Sequence, residues 1–101
     1  MTIELAREPS GQLRVWVNGR ALSPARSQRV WNHSPTGFEV GYGGSGPAQL
    51  ALALLLEAGL SDERAVHLHQ RFKWDFLAVR RAPCRWVLDV RAWAHGVDPE
   101  V

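Results

Sequence analysis

Gly41-Tyr42-Gly43-Gly44-Ser45-Gly46-Pro47 is the stretch of this chain with the means to hold an anion. At the start of a helix, the backbone N–H groups of Gly43, Gly44, Ser45 and Gly46 would face a phosphate or carboxylate, with Tyr42 and His33 beside them and Lys73 as counter-charge. The spacing Gly41-x-Gly43-x-x-Gly46 matches a dinucleotide fingerprint in letters. That fold needs parallel βαβ units, however, and the residues before Gly41 read as hairpins. No Gly-Lys-Ser/Thr closes the segment, and Pro47 removes a donor where a phosphate would want one. The competing reading is that the glycines let the chain reverse and approach another backbone closely.

Other chemistry-bearing residues are sparser. His67 and His69 sit two apart in a segment of helical period, which separates them by roughly 200° and prevents convergence on one ion, so no metal site is assigned. His69 falls near the apolar stripe. Cys84 has neither a nucleophile elbow nor a paired carboxylate motif with it and reads as a buried thiol, so no catalytic residue is assigned. Arg26 and Arg29 near Trp31, and Arg80, Arg81 and Arg85 near Trp86, mix cations with aromatics in a way that would stack bases and neutralise phosphates. Against this, cations at a helix end complement its dipole in any protein. Five tryptophans in 101 residues exceed what a small core hides easily, which makes Trp16 and Trp31 candidate anchors of a protein contact.

The elements that must position these groups follow from apolar period. Ile3 and Leu5, then Leu13, Val15 and Val17, alternate with polar residues, and Asn18-Gly19 is a strong hairpin signal, so a three-stranded meander is expected with Trp16 on its far side. Residues 23–27 read as a crossing loop. Arg29-Val30-Trp31 and Phe38-Glu39-Val40, joined through Ser34-Pro35-Thr36-Gly37, read as a second hairpin. Pro47 to Ala58 is a helix ended by Gly59, apolar everywhere except the stripe Gln49, Ala53, Glu57; it must lie centrally or in a dimer contact. Ser61 caps a second helix running to about Val79, Pro83 stops it, Trp86-Val87-Leu88 is a short strand, and Asp89 caps a last helix from Val90 to His95. The expected fold is α+β: a small, mostly antiparallel sheet of N-terminal hairpins packed on two main helices, with a short C-terminal strand and helix.

Composition sets the outer bounds. Apolar residues are 46% and charged residues 22% of the chain, the balance of one globular domain over residues 1–101, with 97–101 as a frayed tail. The longest apolar run, Leu50 to Leu56, is far short of the roughly twenty residues of a membrane span. One cysteine and an N-terminus without a basic-then-apolar leader point to the cytoplasm. Eleven of the twelve cations are arginine, yet a net charge of +2 is too small to argue nucleic-acid binding without clustering.

Asn32-His33-Ser34-Pro35-Thr36-Gly37-Phe38-Glu39, then Gly41-Tyr42-Gly43-Gly44-Ser45-Gly46-Pro47-Ala48-Gln49-Leu50-Ala51, and again Phe72-Lys73-Trp74, carry a family resemblance. The chain resembles a domain-of-unknown-function family of small bacterial, plasmid and phage proteins, strongly from about Asn32 to Ala78, with Val40 standing where that pattern has tryptophan. The resemblance implies no activity and no cofactor. It does imply that the glycine loop and Phe72-Lys73-Trp74 belong to one architecture. The functional expectation is a non-enzymatic binding or regulatory module acting through protein contacts, including contacts with itself; the alternatives are a nucleic-acid accessory protein and a small-anion or metabolite site.

Overall fold

The computed structural model describes residues 1–99; Glu100 and Val101, where part of the expected tail falls, lie outside the described residues. Alternation along the N-terminus produces β1 (Thr2–Arg7) and β2 (Leu13–Val17), which pair antiparallel with Leu5 opposite Val15, and β3 (Arg20–Ala21) completes the meander. Asn18 and Gly19 take φ of 51° and 81°, the left-handed pair that a tight Asn-Gly hairpin requires. A late strand, β4 (Cys84–Val87), joins the free side of β1, giving the all-antiparallel order β3-β2-β1-β4. One face of this sheet buries Ile3, Leu5, Leu13, Val15 and Val17. Trp16 lies opposite Glu4 and Ala21 on the other face, half-buried, with Arg85 across from Glu4.

The second expected hairpin is not there. Residues 25–30 form a short helix, α1 (Ala25–Val30), and Phe38 and Val40 are buried in an irregular loop without strand partners. Local hydrogen bonding overrides the β propensity of Arg29-Val30-Trp31: Ser23 Oγ accepts from the Ala25 N–H at 3.1 Å, and Ser27 Oγ donates to the Pro24 carbonyl at 2.8 Å. The expected crossing loop over 23–27 is therefore largely the start of α1.

The apolar rod forms as expected. In α2 (Ser45–Glu57), every residue from Gly46 to Leu56 is buried, with Leu50, Leu52, Leu54 and Leu55 fully so. Each such side chain contributes roughly 1.5–3 kcal/mol on leaving water, so this helix anchors the core. Its cover comes from within the chain: α1, α3 (Asp62–Phe72), the π-helical turn Lys73–Leu77 after it, and the same core cluster as the sheet's inner face. The helix is central and needs no second copy to shelter it.

Ser61 caps α3 through the Arg64 N–H at 3.2 Å, and Asp89 caps α4 (Val90–Val97) through the Ala92 N–H at 3.0 Å, both as the sequence indicates. The last helix includes Gly96 and reaches Val97, beyond its expected end at His95. No helix among the described residues is long and apolar enough to cross a membrane.

A candidate binding face around the glycine loop

The irregular segment between α1 and α2 is shaped by one side chain. Gln49, expected on a polar edge of α2, is fully buried and faces the loop instead. Its Oε1 accepts from the backbone N–H groups of His33 and Ser34 at 2.7 and 3.0 Å, while its Nε2 donates to Ser27 Oγ and the Trp31 carbonyl at 2.9 and 3.1 Å. All four hydrogen-bonding positions of the amide are used, so the loop that lacks a ladder partner gains one from a helix.

That latch fixes Trp31 and His33. The indole of Trp31 stacks on the His33 ring with centroids 4.3 Å apart, and His33 Nε2 meets His69 Nε2, from the buried face of α3, at 2.9 Å. His69 Nδ1 donates to the Val66 carbonyl at 2.6 Å, which leaves its Nε2 as a bare acceptor and makes His33 the donor of the pair. Burial first, and the Lys73 charge also, hold both imidazoles below their ordinary range; His33 is pushed further by His69, and the Val66 bond opposes the shift at His69. His67 turns away and meets Asp98 at 3.2 Å, so the two α3 histidines diverge as their spacing requires.

One helical turn past His69, the chain widens into the π-helical turn, where the Ala78 N–H donates to the Lys73 carbonyl five residues back at 2.9 Å. Such turns recur at functional sites. Here it brings two consecutive residues onto the glycine loop. Lys73, only 6% exposed, donates from Nζ to the Gly43 carbonyl at 2.8 Å and lies 4.6 Å from the Trp74 ring centroid. The Trp74 ring occupies the space beside Gly43, where a β-carbon would fall 2.1 Å from it. Tyr42 covers Gly44 in the same way, at 2.3 Å. The glycines are thus small because two aromatic rings rest on them, and the loop meets Phe72-Lys73-Trp74 in space.

Trp31, Tyr42 and Trp74 are 48%, 51% and 59% exposed, Trp31 stacked on His33 and the other two rings resting against Gly44 and Gly43. Of the expected anion-site residues, the structure gathers Tyr42, Gly43, Gly44 and Lys73; Ser45 and Gly46 open α2 and line a separate cleft with Tyr42 and Glu39. One donor of Lys73 is taken by the loop's own carbonyl.

The five arginines do not gather. Arg26 and Arg29 share a cleft with Arg20 beside β3, whereas Arg85 lies on β4 at the opposite edge of the sheet, and Arg80 stacks over Trp86 of β4 at 3.8 Å. Arg81 is exposed in the link before β4. Cys84 sits opposite Leu5 on the sheet, and burial raises its thiol above the ordinary range, which disfavours a nucleophilic thiolate.

Sequence reasoning missed the His33–His69 pair, the Gln49 latch and the exposed Trp74. The i,i+4 spacing of His69 and Lys73 was the available signal, because it places both on the side of the helix that Phe72-Lys73-Trp74 would turn toward the loop.

A family model described as a family of unknown function matches residues 6–96 of this chain. Neither the curated proteins nor the solved structures yielded a match.

Proposed function

The chain belongs to that family of unknown function, DUF6166, whose membership carries no activity, and we propose that it is a non-enzymatic binding module acting through protein contacts. The observation that carries this reading is the three half-exposed rings, Trp31 stacked on His33 and Tyr42 and Trp74 resting on the glycine loop. Tryptophan and tyrosine dominate interface hot spots because they offer large contact area at low entropic cost, and rings already fixed by their own fold lose least on binding. Trp16, on the uncovered face of the sheet, is a second anchor for self-association. The lone thiol, Cys84, supports a reducing, cytoplasmic setting.

Site-specific photocrosslinking in the native cell tests it. A benzophenone side chain placed at position 31, 42 or 74 should give a discrete protein adduct that a probe at the exposed Glu63, at the end of α3 away from the glycine loop, does not. An adduct of twice the chain's own mass would identify a second copy as the partner. Adducts to nucleic acid alone, or none at the three aromatic positions, would overturn the reading.

A further inference from the structure

We propose that β4 is a docking edge for a second copy of this chain, the two β4 strands pairing antiparallel across a two-fold axis at Trp86. The surface is separate from the three rings and stands or falls apart from them. Beside the end of β4, the Met1 amino group donates to the Leu88 carbonyl at 2.7 Å, and the Leu88 N–H donates to the Met1 carbonyl at 2.9 Å. Main-chain direction alternates along a strand, so Trp86 and Cys84 also face β1, opposite Ile3 and Leu5, while the N–H and C=O groups of Arg85 and Val87 point away from the sheet. Among the described residues no strand pairs with that side of β4, and no hydrogen bond uses those groups.

An unpaired strand edge is a template for another strand, and proteins blunt it with lysine, proline, a bulge or a covering helix. The edge at β3 is two residues long and shares a cleft with α1. At β4, by contrast, Val87 is 77% exposed and apolar, and Arg85 beside it is exposed too. What selects a copy of the same strand is the register. A two-fold at Trp86 sets Arg85 of each copy opposite Val87 of the other, so every outward N–H meets an outward carbonyl. The next bonding pair would be Pro83 with Asp89. Pro83 has no N–H, and the Asp89 carbonyl already accepts from the Trp93 N–H at 3.0 Å, so the missing donor falls opposite the spent acceptor. Arg85, next to Glu4 in its own chain, meets no like charge and lays its apolar stem along Val87. Trp86 faces its own copy at the axis, in the non-hydrogen-bonded position where cross-strand aromatic pairs come closest. An axis at Arg85 would oppose two guanidinium groups, and one at Val87 would aim the Arg85 N–H at the spent Asp89 carbonyl.

The test is sedimentation and light scattering of the full chain over a range of concentrations. Wild type should be a dimer that dissociates on dilution. Val87→Pro removes an N–H that the chain's own ladder does not use, and Val87→Lys puts a cation opposite Arg85; each should weaken dimerisation by about tenfold or more while circular dichroism stays unchanged. In a Cys84→Ala background, Arg85→Cys mixed with Val87→Cys should oxidise to a cross-linked dimer faster than either alone, since a bonded pair holds its Cα atoms about 5.5 Å apart. A monomer at every concentration, a dimer that survives both Val87 variants, or Val87→Cys linking to itself as fast as the mixture links would overturn the proposal. If Val87→Pro does not fold, Val87→Lys and the cysteine pair decide. An intact β4 dimer without adducts at the rings would remove only the earlier reading, and ring adducts on a monomeric chain only this one.

Discussion

His33 and His69 touch Nε2 to Nε2 at 2.9 Å, and because the carbonyl of Val66 takes the proton on the far nitrogen of His69, the neutral pair is joined by His33 donating to His69. Protonating both rings would set N–H against N–H. Both rings hold their protons less tightly than in the unfolded chain, whose reference is 6.5, mainly because burial disfavours the charged form. Between the folded values and 6.5 the unfolded state therefore binds more protons, so stability must rise with pH there. The contribution is complete above the unfolded value and is lost as pH falls through it toward the folded ones. Urea midpoints measured from about pH 7.5 down to about pH 5 should fall, and His69→Gln should flatten that decline. An equally steep decline in His69→Gln would exclude the pair as its source.

Gln49 makes a sharper case, because removing it leaves its partners in place. In Gln49→Leu the Ser34 N–H loses its partner and Ser27 Oγ loses a donor, while the His33 N–H and the Trp31 carbonyl keep only their 3.1 Å bond to each other. An orphaned buried group costs about 1–3 kcal/mol, so a loss of at least that order is expected although leucine is the more apolar residue. Gln49→Glu keeps the acceptor, loses two donors and buries a charge, and should also destabilise. Chemical denaturation measures both. A neutral Gln49→Leu would mean that water already serves the loop.

How much of this was legible in the sequence divides by the range of the interaction. The β1–β2–β3 meander, α2 and the caps at Ser61 and Asp89 rest on neighbours a few residues apart, and period and capping residues report such contacts directly. The fate of residues 25–40 does not. Arg29-Val30-Trp31 has strand propensity, but Ser23 and Ser27 start a helix there through local bonds, and Ser27 then also meets Gln49, 22 residues on, a pairing that propensity cannot register. Gln49 looks like part of a polar edge in the sequence because a side-chain amide in a helix has the same signature whether it faces water or four backbone and hydroxyl groups. The motif Phe72-Lys73-Trp74 pointed to the glycine loop through family resemblance alone. Its physical reason, a lysine on the Gly43 carbonyl and an indole on the Gly43 α-carbon, needed coordinates.

Arg7 and Glu39 form a two-pronged pair that ties β1 to the loop ahead of α2, with side chains 38% and 36% exposed. At that exposure solvent screens most of the attraction, and Glu39→Gln should cost only about 0.2–1 kcal/mol at neutral pH. The Arg7 hydrogen bond holds the Glu39 carboxyl below its ordinary 4.5, so the contribution is present above that value and is lost as pH falls through the folded one. The melting difference between wild type and Glu39→Gln should therefore shrink in acid and also in high salt. A difference that persists in both would show that the glutamate acts through something other than Arg7.

Gly43 and Trp74 supply a prediction whose sign reverses with background. A β-carbon at position 43 would stand 2.1 Å from the indole, whereas Gly43 does not take a left-handed φ, so alanine is opposed by the ring alone. Gly43→Ala should displace Trp74, loosen the Lys73 bond to the Gly43 carbonyl, shift the tryptophan emission and cost about 1–3 kcal/mol. Trp74→Ala removes a ring that is more than half exposed and should cost less than a core truncation. With the ring gone, Gly43→Ala should become neutral or mildly stabilising, since alanine restricts the unfolded chain more than glycine does. Gly41→Ala is the contrast: its φ of 91° is strained for any L-residue, and its β-carbon would meet the Arg80 carbonyl at 3.3 Å. That substitution should destabilise equally with or without Trp74. A double-mutant cycle with no coupling between positions 43 and 74 would mean that the ring does not rest on the loop in solution.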